Sequence, residues 1–160
     1  MILPVLAVAA ALTQPAPIQV AAGDLAAIRS AVAAPGASAV LVNLWATWCD
    51  SCRDELPAVL QFARAHRADG VRVILVSADD EDQRDQVAAF LTKAGATHVQ
   101  AFIKHGDDNA FISGLDPQWT GALPASILYD GHGAKKRFWP GPVTARDLET
   151  ALHELKKGKP

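Results

Sequence analysis

Residues 40–57 read VLVNLWATWCDSCRDELP, and this stretch decides the fold. It starts as an apolar, β-branched run, which is typical of a strand buried on both faces. Its second half predicts a helix, because apolar residues recur at helical spacing after the cysteines. These residues are Leu56, Val59, Leu60, Phe62 and Ala63. The two cysteines of the chain, Cys49 and Cys52, lie at the junction between the predicted strand and the predicted helix.

The position of Cys49 at a helix start has a chemical consequence. The free backbone N–H groups and the positive dipole end of the helix should point at its sulfur. This environment favours the thiolate, the reactive form of cysteine, and Cys52 can then close a disulfide with it. A C-x-x-C pair can also supply two of the four ligands of a zinc site. This chain lacks the second cysteine pair that would complete such a Cys-rich site.

The pattern W-A-T-W-C-x-x-C-R-x-E-x-P at residues 45–57 resembles the thioredoxin superfamily, and within it the TlpA/ResA-type disulfide reductases of the bacterial cell envelope. The resemblance covers about residues 37–155. It is strongest at this motif and at a second one, WTGALPASI at residues 119–127. In place of the proline that usually precedes the second cysteine, this chain has Asp50-Ser51, which leaves the redox potential open.

The resemblance implies an α/β thioredoxin fold, and the predicted elements agree with it. From their alternation we expect a mixed central sheet with helices on both faces, ending in a β-hairpin and a helix. The predicted strands are 39–45, 71–77, 99–103, 125–129 and 134–139. The predicted helices are 25–34, 49–67 and 81–94, a helical turn at 110–115, and a last helix opened by a capping box at Thr144–Asp147. Asp24 should cap the first helix, and Asp79 or Asp80 the third.

Roles at the site follow from position and from the resemblance. Cys49 should be the attacking thiolate, and Cys52, one helical turn inward, should resolve the mixed disulfide. The resemblance makes Pro124 a cis-proline that faces the cysteine pair, with the backbone of Leu123 offered to an extended substrate strand. The alternative is an ordinary proline that begins a strand.

Three tryptophans flank these motifs. Trp48 is expected to line the substrate face, and Trp45 to pack in the core. Trp119 could pack over the site or could anchor its own loop.

Three polar residues complete the predicted site, and a fourth, Asn43, supports the resemblance to the TlpA-like subgroup. Glu55 matches the glutamate of the family motif and could shuttle the proton of Cys52, if partial burial raises its pKa. The alternative for Glu55 is an exposed helix residue. Cytoplasmic thioredoxins carry a buried aspartate at the position of Asn43. TlpA-like proteins commonly have asparagine there. Asp50 and Arg53 should tune the redox potential in opposite directions, because Asp50 disfavours the Cys49 thiolate and Arg53 favours it.

Composition limits the classes of function. The 160 residues suit one domain, with half of them apolar and 20% charged. A formal net charge of −2 gives no reason to expect nucleic acid or an anionic membrane as partner. The five histidines show no ligand spacing, so we expect no metal site. Thiol–disulfide exchange through the cysteine pair needs no bound cofactor, so we expect none. We also expect a monomer.

The N-terminal residues predict export. An apolar run over residues 1–12 has the length of a signal-peptide core and is too short to span a bilayer. We expect residues 1–22 to form a signal peptide or a disordered leader, with a linker over Thr13–Gly23, cleavage before Gly23, and one thioredoxin-like domain over 23–160. The periplasm or cell envelope is the expected compartment, and the cytoplasm is the alternative.

The sequence therefore predicts a thiol–disulfide oxidoreductase that reduces protein disulfides. Its expected partners are a disulfide-containing client protein and an upstream dithiol protein that supplies electrons. One alternative is a metal-binding module in which Cys49 and Cys52 hold Cu(I) or zinc alongside a histidine. The other is a redox-inactive thioredoxin-like interaction domain.

Overall fold

The computed structural model describes residues 17–96 and 98–158, which form one six-stranded sheet flanked by helices. The strands are β1 (Val20–Gly23), β2 (Ala39–Trp45), β3 (Val71–Ser77), β4 (Gln100–Lys104), β5 (Ala125–Asp130) and β6 (Lys135–Trp139). The helices are α1 (Leu25–Ala33), α2 (Asp50–His66), α3 (Arg84–Lys93), α4 (Asp108–Leu115) and α5 (Ala145–Lys157), with a short 3₁₀ turn at Glu81–Gln83 before α3.

The sheet is mixed, as the sequence predicts, and β2 lies inside it. The strand order is β1-β4-β3-β2-β5-β6. The first four strands of this order are parallel, whereas β5 runs antiparallel to β2 and β6 antiparallel to β5. Every residue of β2 is buried, because β3 and β5 cover its edges and helices cover both faces. This explains why every residue of β2 except Asn43 is apolar.

The two faces of the sheet carry separate cores. Helices α2, α3 and α5 cover one face through residues such as Phe62, Leu91 and Leu148. Helices α1 and α4 cover the other through Ile28 and Phe111. Alternate residues of β2 point into the two cores, and this alternation places Asn43 on the face that α2 covers.

Local sequence signals account for several helix starts. Asp24 caps α1 by accepting the N–H of Ala27 at 2.8 Å, as predicted. The capping box before α5 is also present, since Thr144 and Asp147 each accept a hydrogen bond from the other's backbone N–H. Within the described ranges, no helix is both long and apolar enough to cross a membrane.

The structure corrects two predictions near these elements. The predicted linker over Thr13–Gly23 is wrong at its C-terminal end, because Val20–Gly23 forms β1 and pairs in parallel with β4. The predicted cap of the third helix is also wrong. Asp80 precedes the 3₁₀ turn without a side-chain capping bond, and Asp79 binds elsewhere. The leader predicted over residues 1–22 lies largely outside the described residues and stays a prediction.

The turn between β5 and β6 packs against the segment that leads into β2, and one glycine makes this contact possible. A Cβ built on Gly131 would lie 2.5 Å from the backbone oxygen of Ala37 and 3.2 Å from that of Ser38. Such close contacts with backbone atoms would force the hairpin away from the start of β2.

We therefore predict that Gly131→Ala lowers the free energy of unfolding by about 1–3 kcal/mol. Gly141→Ala is the matched control, because a Cβ at that loop glycine meets nothing within 4 Å. The control should be neutral or slightly stabilising. Urea denaturation of the oxidised proteins measures both changes, and equal stability of the two variants would contradict this description of the hairpin.

Candidate active site

The cysteine pair lies where β2 passes into α2. Cys49 is the N-cap of α2, and its Sγ accepts the backbone N–H of Cys52 at 3.3 Å. The two residues are joined by a disulfide. Strand, turn and helix thus place the first sulfur at the N-terminal end of a 17-residue helix, as predicted from residues 40–57.

The two sulfur-bearing residues differ in exposure. Cys49 is 8% exposed, whereas Cys52 is fully buried. Cys49 is thus less exposed than the sequence indicated, but of the two it alone contacts solvent. Its neighbour Trp48 is 65% exposed, although it is a large apolar residue. A partner approaching the disulfide from solvent therefore meets Trp48 and Cys49 first.

The second motif reaches the same end of the sheet through β5. The antiparallel register places Ala125 opposite Leu44, so Leu123 and Pro124 continue past the end of β2 from which the cysteine turn leaves. Pro124 is buried and Leu123 half-buried. The Leu123–Pro124 peptide bond is cis, as the resemblance implies.

The other two tryptophans have structural roles. Trp45 is fully buried and packs against Phe90 with ring centroids 5.4 Å apart, in agreement with its predicted place in the core. Trp119 is 6% exposed, and its Nε1–H donates to the backbone oxygen of Ala122 at 2.8 Å. Its ring meets Phe111 edge-on. Trp119 therefore anchors its own loop.

Glu55 is buried, so the alternative of an exposed helix glutamate is wrong. One carboxylate oxygen accepts Asn43 Nδ2–H and the other accepts the backbone N–H of Val143, both at 2.7 Å. Burial raises the pKa of Glu55 above its ordinary value of 4.5, although the hydrogen bonds from Val143 and Asn43 act in the opposite direction. A raised pKa is what a proton-accepting role requires near neutral pH.

Asn43 links this carboxylate to β5. Its Nδ2 also donates to Ser126 Oγ at 3.0 Å, and the two residues face each other across the β2–β5 ladder. Its Oδ1 is buried and has no partner among the described residues. The resemblance identified Asn43 as the residue at the position of the buried aspartate. The contacts with Ser126 and Val143 were not predicted, because they join segments that are distant in the sequence.

Asp50 and Arg53 form an ion pair with 2.6 Å between Oδ1 and Nη2. Their side chains are 85% and 48% exposed, respectively, so the pair is well solvated and contributes little to stability. The sequence predicted that the two charges oppose each other at Cys49. Because the two charges pair directly, each partly cancels the field of the other, and their effect on the redox potential stays a prediction.

Sequence reasoning misread Asp79, which belongs to this region. Asp79 is 1% exposed and accepts hydrogen bonds from both the backbone N–H and the hydroxyl of Thr47, two residues before Cys49. One signal was available: Asp79 lies two residues after the end of β3, and the parallel strands β2 and β3 end at the same edge of the sheet.

The metal-binding alternative requires more ligands than the cysteines provide. Among residues 17–96 and 98–158, no group of three or more His, Cys, Asp or Glu side chains is arranged to hold a metal ion.

The fold and the site together define a thioredoxin-like protein with a C-x-x-C disulfide at a helix N-terminus. A solved structure of a thiol:disulfide interchange protein of the thioredoxin family from Chlorobium tepidum matches with a TM-score of 0.61 at 18% identity, covering 79% of this chain and 83% of that one. At this identity the match shows the fold alone. A model of the AhpC/TSA family matches residues 13–136, and the chain belongs to this family.

Curated relatives are similar over the same region. The thiol:disulfide interchange protein DsbE of Allochromatium vinosum is 32% identical over 75% of this chain. The thiol-disulfide oxidoreductase ResA of Geobacillus kaustophilus is 26% identical over 73% of it. The matched region spans 63% of the length of each relative.

The raised pKa of Glu55 generates a prediction about stability. A carboxyl group whose pKa is higher in the folded than in the unfolded protein binds more protons when folded. Its contribution to stability is therefore lost as pH rises from about 4.5 through the folded pKa. Glu55→Gln removes this loss. Rotation of the Asn43 amide would let its orphan oxygen accept the new amide N–H.

We expect the stability difference between Glu55→Gln and the wild type to shift in favour of the variant as pH rises from 4.5 to 8. Urea denaturation at several pH values measures it. Asp54→Asn, which removes an exposed charge from the same helix, controls for general charge effects. Parallel pH profiles for Glu55→Gln and the wild type would show that the buried carboxyl does not titrate as described.

Proposed function

We propose that this protein is a thiol–disulfide oxidoreductase that reduces disulfides in client proteins through Cys49 and Cys52. The observation that carries the proposal is the asymmetry of the pair. Cys49 caps the N-terminus of α2 and contacts solvent, whereas Cys52 is fully buried. The names of DsbE and ResA support the same class of reaction.

The reaction would proceed by two exchanges. The Cys49 thiolate attacks one sulfur of a client disulfide, which breaks that bond, releases one client thiolate and forms a mixed disulfide. The Cys52 thiolate then attacks Cys49 Sγ, releases the second client thiolate and forms the Cys49–Cys52 disulfide. Two electrons pass to the client, and an upstream dithiol protein restores the reduced pair by the same chemistry.

Glu55 would accept the proton of Cys52 before the second exchange. The two residues are three positions apart in α2, so they share a helix face, and both are buried. Burial holds the pKa of Glu55 above its ordinary value, and the burial of Cys52 keeps its thiol away from bulk solvent as a proton acceptor. The role of proton acceptor fits this pairing.

Three residues would bind the client. Trp48 offers an exposed apolar surface beside Cys49. Leu123 and Pro124 extend past the end of β2 at the same edge of the sheet, where the Leu123 backbone could pair with an extended client segment. Such pairing recognises backbone rather than sequence, which suits a reductase of several clients.

We further propose that the protein works in the periplasm or cell envelope, with the apolar run at residues 1–12 as its export signal. The position of β1 changes one detail. Cleavage before Gly23 would remove three of the four residues of that strand, so we place the cleavage site ahead of Val20.

The proposal predicts that Cys52→Ser traps clients. Without the resolving thiol, the mixed disulfide on Cys49 persists and should appear as high-mass species in non-reducing electrophoresis that dithiothreitol removes. Cys49→Ser is the matched control, since it keeps one thiol but removes the attacking one.

A purified disulfide protein provides the quantitative test. The reduced wild-type protein should cleave the disulfide of this substrate, and Cys49→Ser should lose this activity essentially completely. Equal trapping by the two single variants, or disulfide cleavage by Cys49→Ser at the wild-type rate, would refute the assigned roles.

A further inference from the structure

A buried carboxylate lies behind the cysteine turn and has no part in the reaction as proposed. Asp79 follows β3 and is 1% exposed. Its Oδ2 accepts the backbone N–H of Thr47 at 2.9 Å and also the hydroxyl of Ser77. Its Oδ1 accepts the hydroxyl of Thr47. Among the described residues, no Lys, Arg or His pairs with it, so these hydrogen bonds alone offset the cost of burial.

The residues held by Asp79 form the turn that carries the attacking sulfur. The N–H of Cys49 donates to the backbone oxygen of Ala46 at 3.2 Å, which closes a four-residue turn over 46–49. Thr47 is the second residue of this turn, and Asp79 binds both its backbone and its side chain. The N–H of Ala78 donates to the Trp45 oxygen at 2.8 Å and adds a further link from the end of β3.

This geometry connects Asp79 to the chemistry at a distance. The Cys49 sulfur gains from the helix N-terminus only while it remains close to the Cys52 N–H, which it accepts at 3.3 Å. The orientation of the 46–49 turn determines that approach. A turn freed at Thr47 would let Cys49 Sγ move away from the donor and would leave a buried N–H without a partner.

We propose that Asp79 is a positioning residue for Cys49: it fixes the 46–49 turn so that the sulfur stays at the N-terminus of α2, where its thiolate is stabilised. This deepens the proposed function, since it names what holds the attacking group in place. The hydrogen bonds of the Asp79 carboxylate go to Thr47 and Ser77 and not to either sulfur, so Asp79 acts through the turn.

The test measures how readily Cys49 forms its thiolate. The Cys52→Ser background leaves Cys49 as the single thiol of the chain. Iodoacetamide then reports the pH midpoint of its alkylation. Asp79→Ala should raise this midpoint by about half a unit, which lowers the thiolate fraction and the alkylation rate below the midpoint about threefold.

Asp79→Asn separates position from charge. Its amide oxygen can accept from the Thr47 N–H and the Ser77 hydroxyl, while its NH₂ donates to the Thr47 hydroxyl, so the turn keeps its links without the charge. We expect its midpoint to stay close to the parent's. A role through charge alone would instead lower the midpoint in both variants, because a nearby negative charge disfavours the thiolate. That result would overturn the proposal.

Two further variants, both at Thr47, test the same hydrogen bond from the other side. Thr47→Val removes one hydrogen bond to Asp79 but keeps the backbone bond and the shape of the side chain, so it tests the link even where Asp79→Ala fails to fold. It should raise the midpoint by a smaller amount, and Thr47→Ser should not. An unchanged midpoint in both Asp79→Ala and Thr47→Val would show that Asp79 serves the fold alone, which also overturns the proposal.

Asp130 provides the matched control. It is a buried carboxylate that accepts the N–H groups of His132 and Ala134 at 2.9 and 3.0 Å, and it faces Ala39 at the opposite end of β2. Unlike Asp79, it also pairs with a cation, Lys136, at 2.9 Å, so it controls for the loss of a buried carboxylate and not for the loss of an unpaired one. Asp130→Ala should leave the alkylation midpoint unchanged, and an equal shift there would refute a specific role for Asp79.

The measurement involves no client protein. If the wild type fails to reduce a client disulfide while Asp79→Ala still shifts the midpoint, the proposed function fails and the positioning role stands.

Discussion

The contact between the Cys52 backbone N–H and Cys49 Sγ is the interaction on which the rest of the site depends. It places the first sulfur at the N-terminal end of α2, where unpaired N–H groups and the helix dipole favour negative charge. The surrounding structure keeps that sulfur in place. Strand β2 is buried along its whole length, so the residue from which the turn starts has a fixed position. On one side Asp79 ties the turn to the end of β3, and on the other β5 brings Leu123 and Pro124 to the same edge.

A second constraint lies beneath the cysteines. The Glu55 carboxylate joins α2 to β2 through Asn43 and to the segment before α5 through Val143. Burying a carboxylate is costly, and two hydrogen bonds offset only part of the cost, which is why its pKa rises. A buried carboxylate of this kind lowers the stability of the folded protein at neutral pH. It is well suited to receive a proton from a buried thiol, so stability and function make opposite demands on this residue.

The sequence predicted most of the fold because the decisive elements are local in pattern. The predicted bounds of β2 and β3 match the observed ones, since both are mainly apolar runs with several β-branched residues, a pattern typical of a strand covered on both faces. Strand β1 escaped prediction because Val20–Gly23 is short, contains three small residues and exposes two of its four positions. Its strand character comes from pairing with β4, some 80 residues further along the chain. The expected roles of the two cysteines followed from their position at the start of the helix. The burial of Glu55 and the contact of Asp79 with Thr47 depend on tertiary packing, which local sequence patterns do not predict.

The reduction potential of the Cys49–Cys52 couple tests the proposed reductase function most directly. A client reductase needs a pair whose reduced form is not strongly stabilised, and the pairing of Asp50 with Arg53 limits the charge available to stabilise the thiolate. Equilibration against dithiothreitol and glutathione buffers should give a single two-electron transition with a midpoint nearer about −270 mV than about −120 mV. A midpoint above about −150 mV, or no two-electron transition at all, would contradict the assignment of this protein as a disulfide reductase.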